Sequence, residues 1–414
     1  MANIGSQQMI LCHECDLPHE FRPVPAGRKA KCIRCSAILY GATDEDLDRP
    51  LALSLAGLVL FVSANVFRFM VFEMEGRAQT NNLITGSIDL WRAGFWELAT
   101  VVFLSSIFLP FVSLALTVYL LAPLRLGKIP WKAAPVLRAV LALRPWAMME
   151  VYMLGALVAI VKLTDFADIE LGYGFYAFVA LIVTVTAASS ALHPEALWNR
   201  IGGEVDHLQA NRYDENAIGC HTCGHVLEGA VDWHGVDCPR CQATLHHRKP
   251  NSISRTWAFL IAAAIFYVPA NVYPIMTVIS FGQGSPDTIL SGVVHLIEAD
   301  QWPIAILVFF ASIFVPVVKM SIIAFLLISV QMKSAWRSRE RTLTYRLTES
   351  IGRWSMIDIF MISILVALVK LEAVATIEAG PGAIAFAAVV ILTVLSAMSF
   401  DPRLIWDRAE GANG

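Results

Sequence analysis

The sequence predicts a polytopic α-helical membrane protein that is a tandem duplication, in which each copy has a small four-cysteine module followed by four transmembrane helices. The 414-residue chain is 57% hydrophobic and only 16% charged, with a mean hydropathy of +0.60. This composition is too apolar for an ordinary soluble domain. Apolar segments and cysteines also recur along the chain at a nearly constant spacing.

Eight apolar segments are each long enough to cross a hydrocarbon core of about 30 Å as a helix. Their limits are 51–72, 97–122, 146–164, 174–192, 256–280, 302–330, 354–371 and 381–399. The first residues, MANIGSQQMILCHECD, lack the basic segment and apolar core of a cleavable signal peptide. We therefore expect the first span to act as its own insertion signal.

Basic residues in the connecting segments indicate the orientation of the spans. The loop after the second span contains no acid, and the loop after the sixth span is also rich in Lys and Arg. The segments TDFADIELG and QGSPDTILSGVVHLIEAD contain acids and neither Lys nor Arg. Because basic loops stay in the cytoplasm, both termini and the segment 193–253 are expected on the cytoplasmic side.

The spans belong to an internal repeat with an offset of 206 to 208 residues. SANVFRFM at 63 recurs as PANVYPIM at 269, and SSIFLPFVSL at 105 recurs as ASIFVPVVKM at 311. RPWAMMEVYMLGALVAIVKL at 144 recurs as GRWSMIDIFMISILVALVKL at 352, and HPEALWNR at 193 recurs as DPRLIWDR at 401. Since each copy has an even number of spans, the repeats are parallel rather than inverted.

All eight cysteines belong to two sets that follow the same repeat. Each set has two CxxC pairs, sixteen residues apart in the first and fourteen in the second. The sets are Cys12, Cys15, Cys32 and Cys35, and then Cys220, Cys223, Cys238 and Cys241. This spacing is typical of a zinc ribbon, in which four thiolates close a tetrahedron around one structural metal.

Two disulfides per set are the alternative, but a reducing cytoplasm argues against them. Iron also accepts four thiolates, although we favour zinc. The nearby His221, His225, His246 and His247 are expected to be solvated. The short basic stretch HHRKP precedes a span, where positive charge is common, so nucleic-acid binding has little support.

The duplication divides the chain into four predicted parts. Residues 1–48 form a first cytoplasmic ribbon and residues 49–200 a first half with four helices. Residues 201–253 form a second cytoplasmic ribbon, and residues 254–414 a second half with four helices and a short cytoplasmic tail. Each ribbon is too small to bury a core, so its folding should depend on its metal.

The duplicated ribbon, together with PANVYPIM, ASIFVPVVKM, GRWSMIDIF and SAMSFDPRLIWD, closely resembles the paraquat-inducible protein A family, including the related LetA proteins. The match covers nearly the whole chain. The resemblance implies a bacterial inner-membrane subunit that handles phospholipid for a periplasmic MCE-domain protein. That partner forms a tube across the periplasm, in a system that moves lipids between the inner and outer membranes.

Lys319 lies near the middle of the sixth span, where an ammonium group costs at least a few kcal/mol. The first copy has Ser113 at the matching position, so only the second copy has this charge. Snorkelling from mid-membrane would be strained. Asp358 is the acid within a span of the second copy, with Ser355 one turn before it. A functional polar site and a structural ion pair are both open interpretations.

Other polar positions suggest a path through the membrane. Glu150 matches Asp358 in the repeat. Asn65 matches Asn271, and a structural role is favoured for both asparagines. Lys162 and Asp165 would share a helix face, whereas Lys370 has Ala373 at the corresponding place. A series of groups from Asp358 and Lys319 toward Lys162 and Asp165 would resemble a proton relay. Ser312 and Thr393 could act as donors and acceptors within it.

The sequence lacks GxxxxGK[ST], HExxH and GxSxG, so neither nucleotide hydrolysis nor another enzymatic activity is expected. Three functions remain open: a lipid-loading transporter subunit, with or without proton coupling; a passive anchor for a periplasmic partner; and a metal- or redox-responsive sensor. The sensor requires reactive cysteines, whereas closed structural ribbons should be inert.

Overall fold

The computed structural model confirms the predicted fold class, with eight helical spans, two four-cysteine modules and two similar halves. The residues it describes are 9–22, 24–25, 27–41, 46–74, 77–163, 168–202, 217–227, 234–280, 283–298, 300–368, 370–371 and 375–407.

Four spans form the first half. The first span is α1 (Asp48–Val66), and the second joins α3 (Trp96–Phe103) to α4 (Leu109–Arg125). The third joins α5 (Ala133–Leu143) to α6 (Met149–Leu163), and the fourth is α7 (Tyr173–Ala191). Two shorter helices are α2 (Thr85–Arg92), before the second span, and α8 (Pro194–Gly202), after the fourth.

The second half repeats this order. Its first and fourth spans are α9 (Ser252–Val272) and α15 (Pro381–Ser399). Its second span joins α11 (Trp302–Phe309) to α12 (Val315–Gln331), and is preceded by α10 (Ile289–Glu298). Its third joins α13 (Ser338–Gly352) to α14 (Ile357–Leu368).

Strands form small antiparallel sheets at both ends of the spans. The four-cysteine modules contain β1 (Met9–Leu11), β2 (Pro18–Glu20), β3 (Lys29–Lys31), β4 (Ile38–Gly41), β8 (Ile218–Gly219) and β9 (Val226–Leu227). The opposite end, here called the sheet side, has β5 (Met70–Met74), β6 (Arg77–Asn81), β7 (Asp168–Leu171), β10 (Met276–Ser280), β11 (Gln283–Asp287), β12 (Lys370–Leu371) and β13 (Ala375–Ala379).

The predicted ends of the first and fifth spans were wrong, because both helices stop early and the chain continues as β5 and β10. Phe67 and Tyr273 both have extended backbones, and Tyr273 precedes Pro274, which disfavours a helical residue before it. β5 pairs with β6 and β7, and β10 pairs with β11 and β13. The residues of both strands are as apolar as those of the helices, so hydropathy alone did not mark the boundary.

The predicted starts of the third and seventh spans were also wrong. The chain is already helical in α5 and α13, which precede α6 and α14 through short 3₁₀ segments. Both helices contain basic residues, and for this reason the sequence analysis assigned the helices to cytoplasmic loops. Such residues are tolerated because they lie at the end of the span, near the four-cysteine modules.

The two halves meet along α14, which is buried on all sides. Gly155 of α6 faces it so closely that a Cβ there would lie 2.9 Å from the Cβ of Phe360. A Cβ on Gly86 of α2 would lie 2.7 Å from Ser363 Oγ. Small residues therefore let helices of the first half approach α14, as is common in membrane helix packing.

Candidate metal centres and intramembrane polar site

Each four-cysteine module brings its sulfur atoms together as predicted. The four Sγ atoms of each set lie within 4.8 Å of one another and all eight cysteines are buried. Cys12 Sγ lies 3.5 Å from Cys35 Sγ, and Cys220 Sγ lies 3.4 Å from Cys241 Sγ. Four thiolates around zinc at about 2.3 Å require separations of about 3.8 Å. Both sets could therefore hold a metal after a small expansion.

Backbone hydrogen bonds shape every CxxC pair in the same way. Asp16 N–H donates to Cys12 O at 2.9 Å, and Cys12 N–H donates to Leu17 O at 3.1 Å. Matching bonds occur around Cys32, Cys220 and Cys238. The residue after each second cysteine has a positive φ, and in one case it is Gly224. These turns aim both thiols of a pair at the same point.

The thiols of the first cluster shift one another's pKa in opposite directions. Contacts with Cys12 and Cys35, together with burial, raise the pKa of Cys15 far above its ordinary value. Contacts with Cys12 and Cys15 lower the pKa of Cys35. Binding of a metal, which requires thiolates, must therefore release protons. His19 Nε2 lies 3.2 Å from Cys32 Sγ, where an N–H would stabilise a bound thiolate.

The prediction that the nearby histidines are solvated was wrong for His225. Its side chain is buried, and its carbonyl accepts the Cys220 N–H at 2.8 Å. His221 and His247 are exposed, and His246 is half-buried. The turn after the CxxC pair buries the His225 side chain. The spacing of the residues in the sequence did not predict this burial.

Each module packs against the transmembrane half of the other copy. The cysteines of the first module share an apolar cluster with Ile323, Leu327 and Phe400 of the second half. Glu14 forms a two-oxygen ion pair with Arg346 of α13, and Arg346 also donates to Cys35 O at 2.8 Å. The first module is therefore anchored on the helix that leads into α14.

The second module packs on the first half in the same manner. Its cysteines lie in a cluster with Leu121, Leu137 and Trp198. Arg138, which matches Arg346 in the repeat, donates to Gln242 O at 2.8 Å. Thr222 stands at the position of Glu14, so the ion pair of the first module has no counterpart here.

A polar network connects the modules and the end of the chain. Arg248 pairs with both Asp16 and Asp407, and the Lys249 backbone N–H donates to Asp401 Oδ2 at 2.9 Å. Burial opposes ionisation of Asp401, but Arg403 prevails and lowers its pKa. Burial lowers the pKa of Lys249, whose ammonium group donates to the carbonyl oxygens of Met398 and Phe400 at the C-terminal end of α15.

Lys319 is buried and donates to Thr393 Oγ1 at 3.2 Å. A Cβ on Gly352 would lie 2.7 Å from its Nζ atom, so the absence of a side chain there makes room for the ammonium group. The first half has the opposite arrangement, with Ser113 at the lysine position and Arg144 at the glycine position. No ion pair joins Lys319 to Asp358, both of which are described residues.

Asp358 is also buried, and its Oδ2 accepts a hydrogen bond from Ser312. Ser312 lies in a π-helical segment, Phe310–Phe314, that links α11 to α12. The equivalent segment in the first half, Leu104–Phe108, is also π-helical. Such segments turn side chains out of α-helical register and are frequent at functional sites.

Ser312 and Asp358 line a cavity of about 30 Å³, which has room for a water molecule. Its remaining lining is mostly apolar and comes from the sheet side and second span of the second half, with Met361 of α14 and Val158 of α6. It includes Ile275, Ile289, Leu296, Ile304 and Val308. This cavity was not predicted from the sequence, because α10 falls in a predicted loop and β10 in a predicted span, although both border it.

Three predicted residues of the relay cannot be placed. Asp165 lies outside the described residues, as do the side chains of Ser355 and Lys162. The paired asparagines have a local structural contact: Asn65 Nδ2 donates to Phe61 O, and Asn271 Nδ2 donates to Tyr267 O, each at 2.8 Å.

Comparison with known proteins finds relatives along almost the entire chain. The family model described as paraquat-inducible protein A matches residues 47–202 and 253–410. The Lipophilic envelope-spanning tunnel protein A of Escherichia coli K12 is 33% identical, over 97% of this chain and 92% of its own. The Intermembrane transport protein PqiA of the same strain is 34% identical, over 96% and 95%. No solved structure matches.

Proposed function

Because the chain belongs to the paraquat-inducible protein A family, we propose that it transports lipid between the inner and outer membranes as a non-enzymatic inner-membrane subunit. Its relatives are named as intermembrane transport and envelope-spanning tunnel proteins. In this proposal it loads phospholipid onto a periplasmic MCE-domain partner, or extracts lipid from it.

The cavity beside Asp358 is the observation that carries this proposal. Its lining is mostly apolar, and Ser312 and Asp358 add polar groups to it. At about 30 Å³ it has room for a water molecule only, so in this proposal the cavity must widen before an acyl chain can enter. Helix α10 borders the cavity through Ile289 and Leu296 and leaves Leu290 and Val294 exposed. In this proposal α10 moves to widen the cavity for lipid.

The buried polar pairs support proton coupling as part of the proposal. Ser312 with Asp358 and Lys319 with Thr393 form two hydrogen-bonded pairs in one half. Ser312 and Lys319 are seven residues apart, which is about 10 Å along a helix. Transfer of a proton between the pairs would therefore need a bridging water or movement of α12. Intramembrane titratable groups commonly serve such relays.

The metal clusters have a structural role in this proposal. Four buried thiols leave no open coordination position for chemistry on a bound ion. Zinc suits the sulfur set and the reducing cytoplasm. The ribbons then hold α13 and the corresponding α5 in place, and the sensor alternative has no specific support from the contacts.

The orientation predicts a labelling result. Pro286→Cys lies at an exposed position of β11 on the sheet side, and Lys333→Cys lies at the opposite end of the spans. A membrane-impermeant maleimide should modify Pro286→Cys in intact spheroplasts, because the sheet side faces the periplasm. Lys333→Cys should react only after lysis. The reverse pattern would overturn the orientation.

The cavity can be tested with a photoreactive amino acid in place of Val308. On illumination this residue should cross-link to phospholipid, because it lines the cavity. Val102, at the matching position of the first half, is the control and is buried in the apolar core. Equal cross-linking at both positions, or none at Val308, would contradict a lipid site and favour a passive anchor.

A further inference from the structure

Two similar corners lie at the ribbon end of the spans, one in each half. The first corner is the segment 126–132, between α4 and α5, and the second is the segment 332–337, between α12 and α13. Each contains an exposed tryptophan followed directly by a cation, Trp131 with Lys132 and Trp336 with Arg337. The sequence analysis used these residues only as evidence for topology.

The cation of each corner has the same backbone conformation and the same position relative to the next helix. Lys132 has φ of 54° and Arg337 has φ of 47°, so both adopt the left-handed conformation just before the next helix. Lys132 Nζ lies 4.3 Å from the Trp131 ring centre, and Arg337 Cζ lies 5.2 Å from that of Trp336. A left-handed non-glycine residue is unfavourable, yet it occurs in both copies.

Apolar side chains complete each corner. Leu126 is 75% exposed and Met332 is 74% exposed, and they occupy matching positions. Trp131 is 77% exposed and Trp336 is 62% exposed. The headgroup region of a bilayer is contacted by three kinds of group at the end of a span. These are a large apolar side chain, an indole and a fixed cation, and each corner has all three.

We propose that each corner binds the headgroup of an anionic glycerophospholipid in the adjoining leaflet. The tryptophan and the apolar side chain lie at the acyl boundary, and the cation above the ring binds the phosphate. This inference is independent of the cavity, since these lipids would be retained at the protein surface rather than transported.

The two corners should differ in affinity. Each corner has a second cation, Lys128 in the first and Lys333 in the second. In the second corner, Glu340 pairs with Arg337 at 3.0 Å and competes with a phosphate. Basic residues near an anionic surface attract anionic lipid. The first corner should therefore hold its lipid more tightly.

Native mass spectrometry of the purified full-length chain tests this proposal. The variants are Trp131→Ala with Lys132→Gln, and Trp336→Ala with Arg337→Gln. Trp91→Ala with Arg92→Gln is the matched control, because Trp91 and Arg92 are exposed on the sheet side. Titration with phosphatidylglycerol should show about two retained lipids on the wild type and about one on each corner variant.

The control should retain both lipids, and phosphatidylethanolamine should show no such difference. A loss of phosphatidylglycerol that is equal in the control would overturn the proposal. Unchanged binding in both corner variants would also overturn it. Thermal unfolding of each variant without added lipid separates misfolding from loss of the site, since only a folding defect lowers the lipid-free midpoint.

Discussion

Replacing Cys12 with serine should lower the metal content from about two ions per chain to about one and should destabilise the second transmembrane half. The first module packs on Ile323, Leu327 and Phe400, so loss of its fold removes a cover from α12 and α15. Because metal binding and ribbon folding are one equilibrium, folded protein should decrease. Metal analysis and limited proteolysis of the purified variant would measure both effects.

The positions of the proteolytic cuts test the crossed packing directly. Cys12→Ser should increase cleavage within the second half, and Cys220→Ser should increase cleavage within the first half. Glu14→Gln is the control that removes the ion pair with Arg346 but retains all four thiols. It should keep about two metal ions per chain. Cleavage in the half that follows each mutated module would contradict the crossed arrangement.

The same clusters should lose metal as the pH falls. Metal binds thiolates, whereas neighbouring thiols and burial raise the pKa of Cys15 in the metal-free cluster. Lowering the pH therefore favours the protonated, metal-free form, and raising it favours the bound form.

Replacing Lys319 with methionine should abolish lipid transport while leaving the abundance of the protein unchanged or higher. The ammonium group is buried and has a hydrogen bond to Thr393 but no ion pair with Asp358. Removing a charge that costs free energy to bury should not destabilise the fold. Growth under envelope stress in a strain without redundant transport systems, with immunoblots for protein level, would measure both properties.

The double variant Lys319→Met with Asp358→Asn separates the relay from a structural role. If both charges take part in transport, activity remains absent when both are removed. Thr393→Val is a milder comparison, because it removes the hydroxyl that accepts from Lys319 and keeps a similar volume. Normal transport in the double variant would eliminate the proton relay and leave a passive anchor. Reduced abundance of Lys319→Met alone would indicate a structural role.

Features that depend on local composition and spacing could be predicted from the amino-acid sequence. Hydropathy placed the eight spans, since a helix must satisfy its backbone groups within the bilayer. Two CxxC pairs per copy placed the clusters, because each turn aims its thiols locally. The offset between copies also singled out Lys319, which is a serine at position 113.

Contacts between groups that are distant in the sequence depend on the packing of the folded chain. Lys319 contacts Thr393 and Gly352, and Ser312 contacts Asp358, through packing of helices that spacing along one helix cannot specify. β5 and β10 are strands because they pair with partners elsewhere in the chain, although their residues are as apolar as the preceding helices. The crossed packing of the ribbons has the same cause: the ion pair of Glu14 joins residues 332 positions apart, and only the folded chain brings them together.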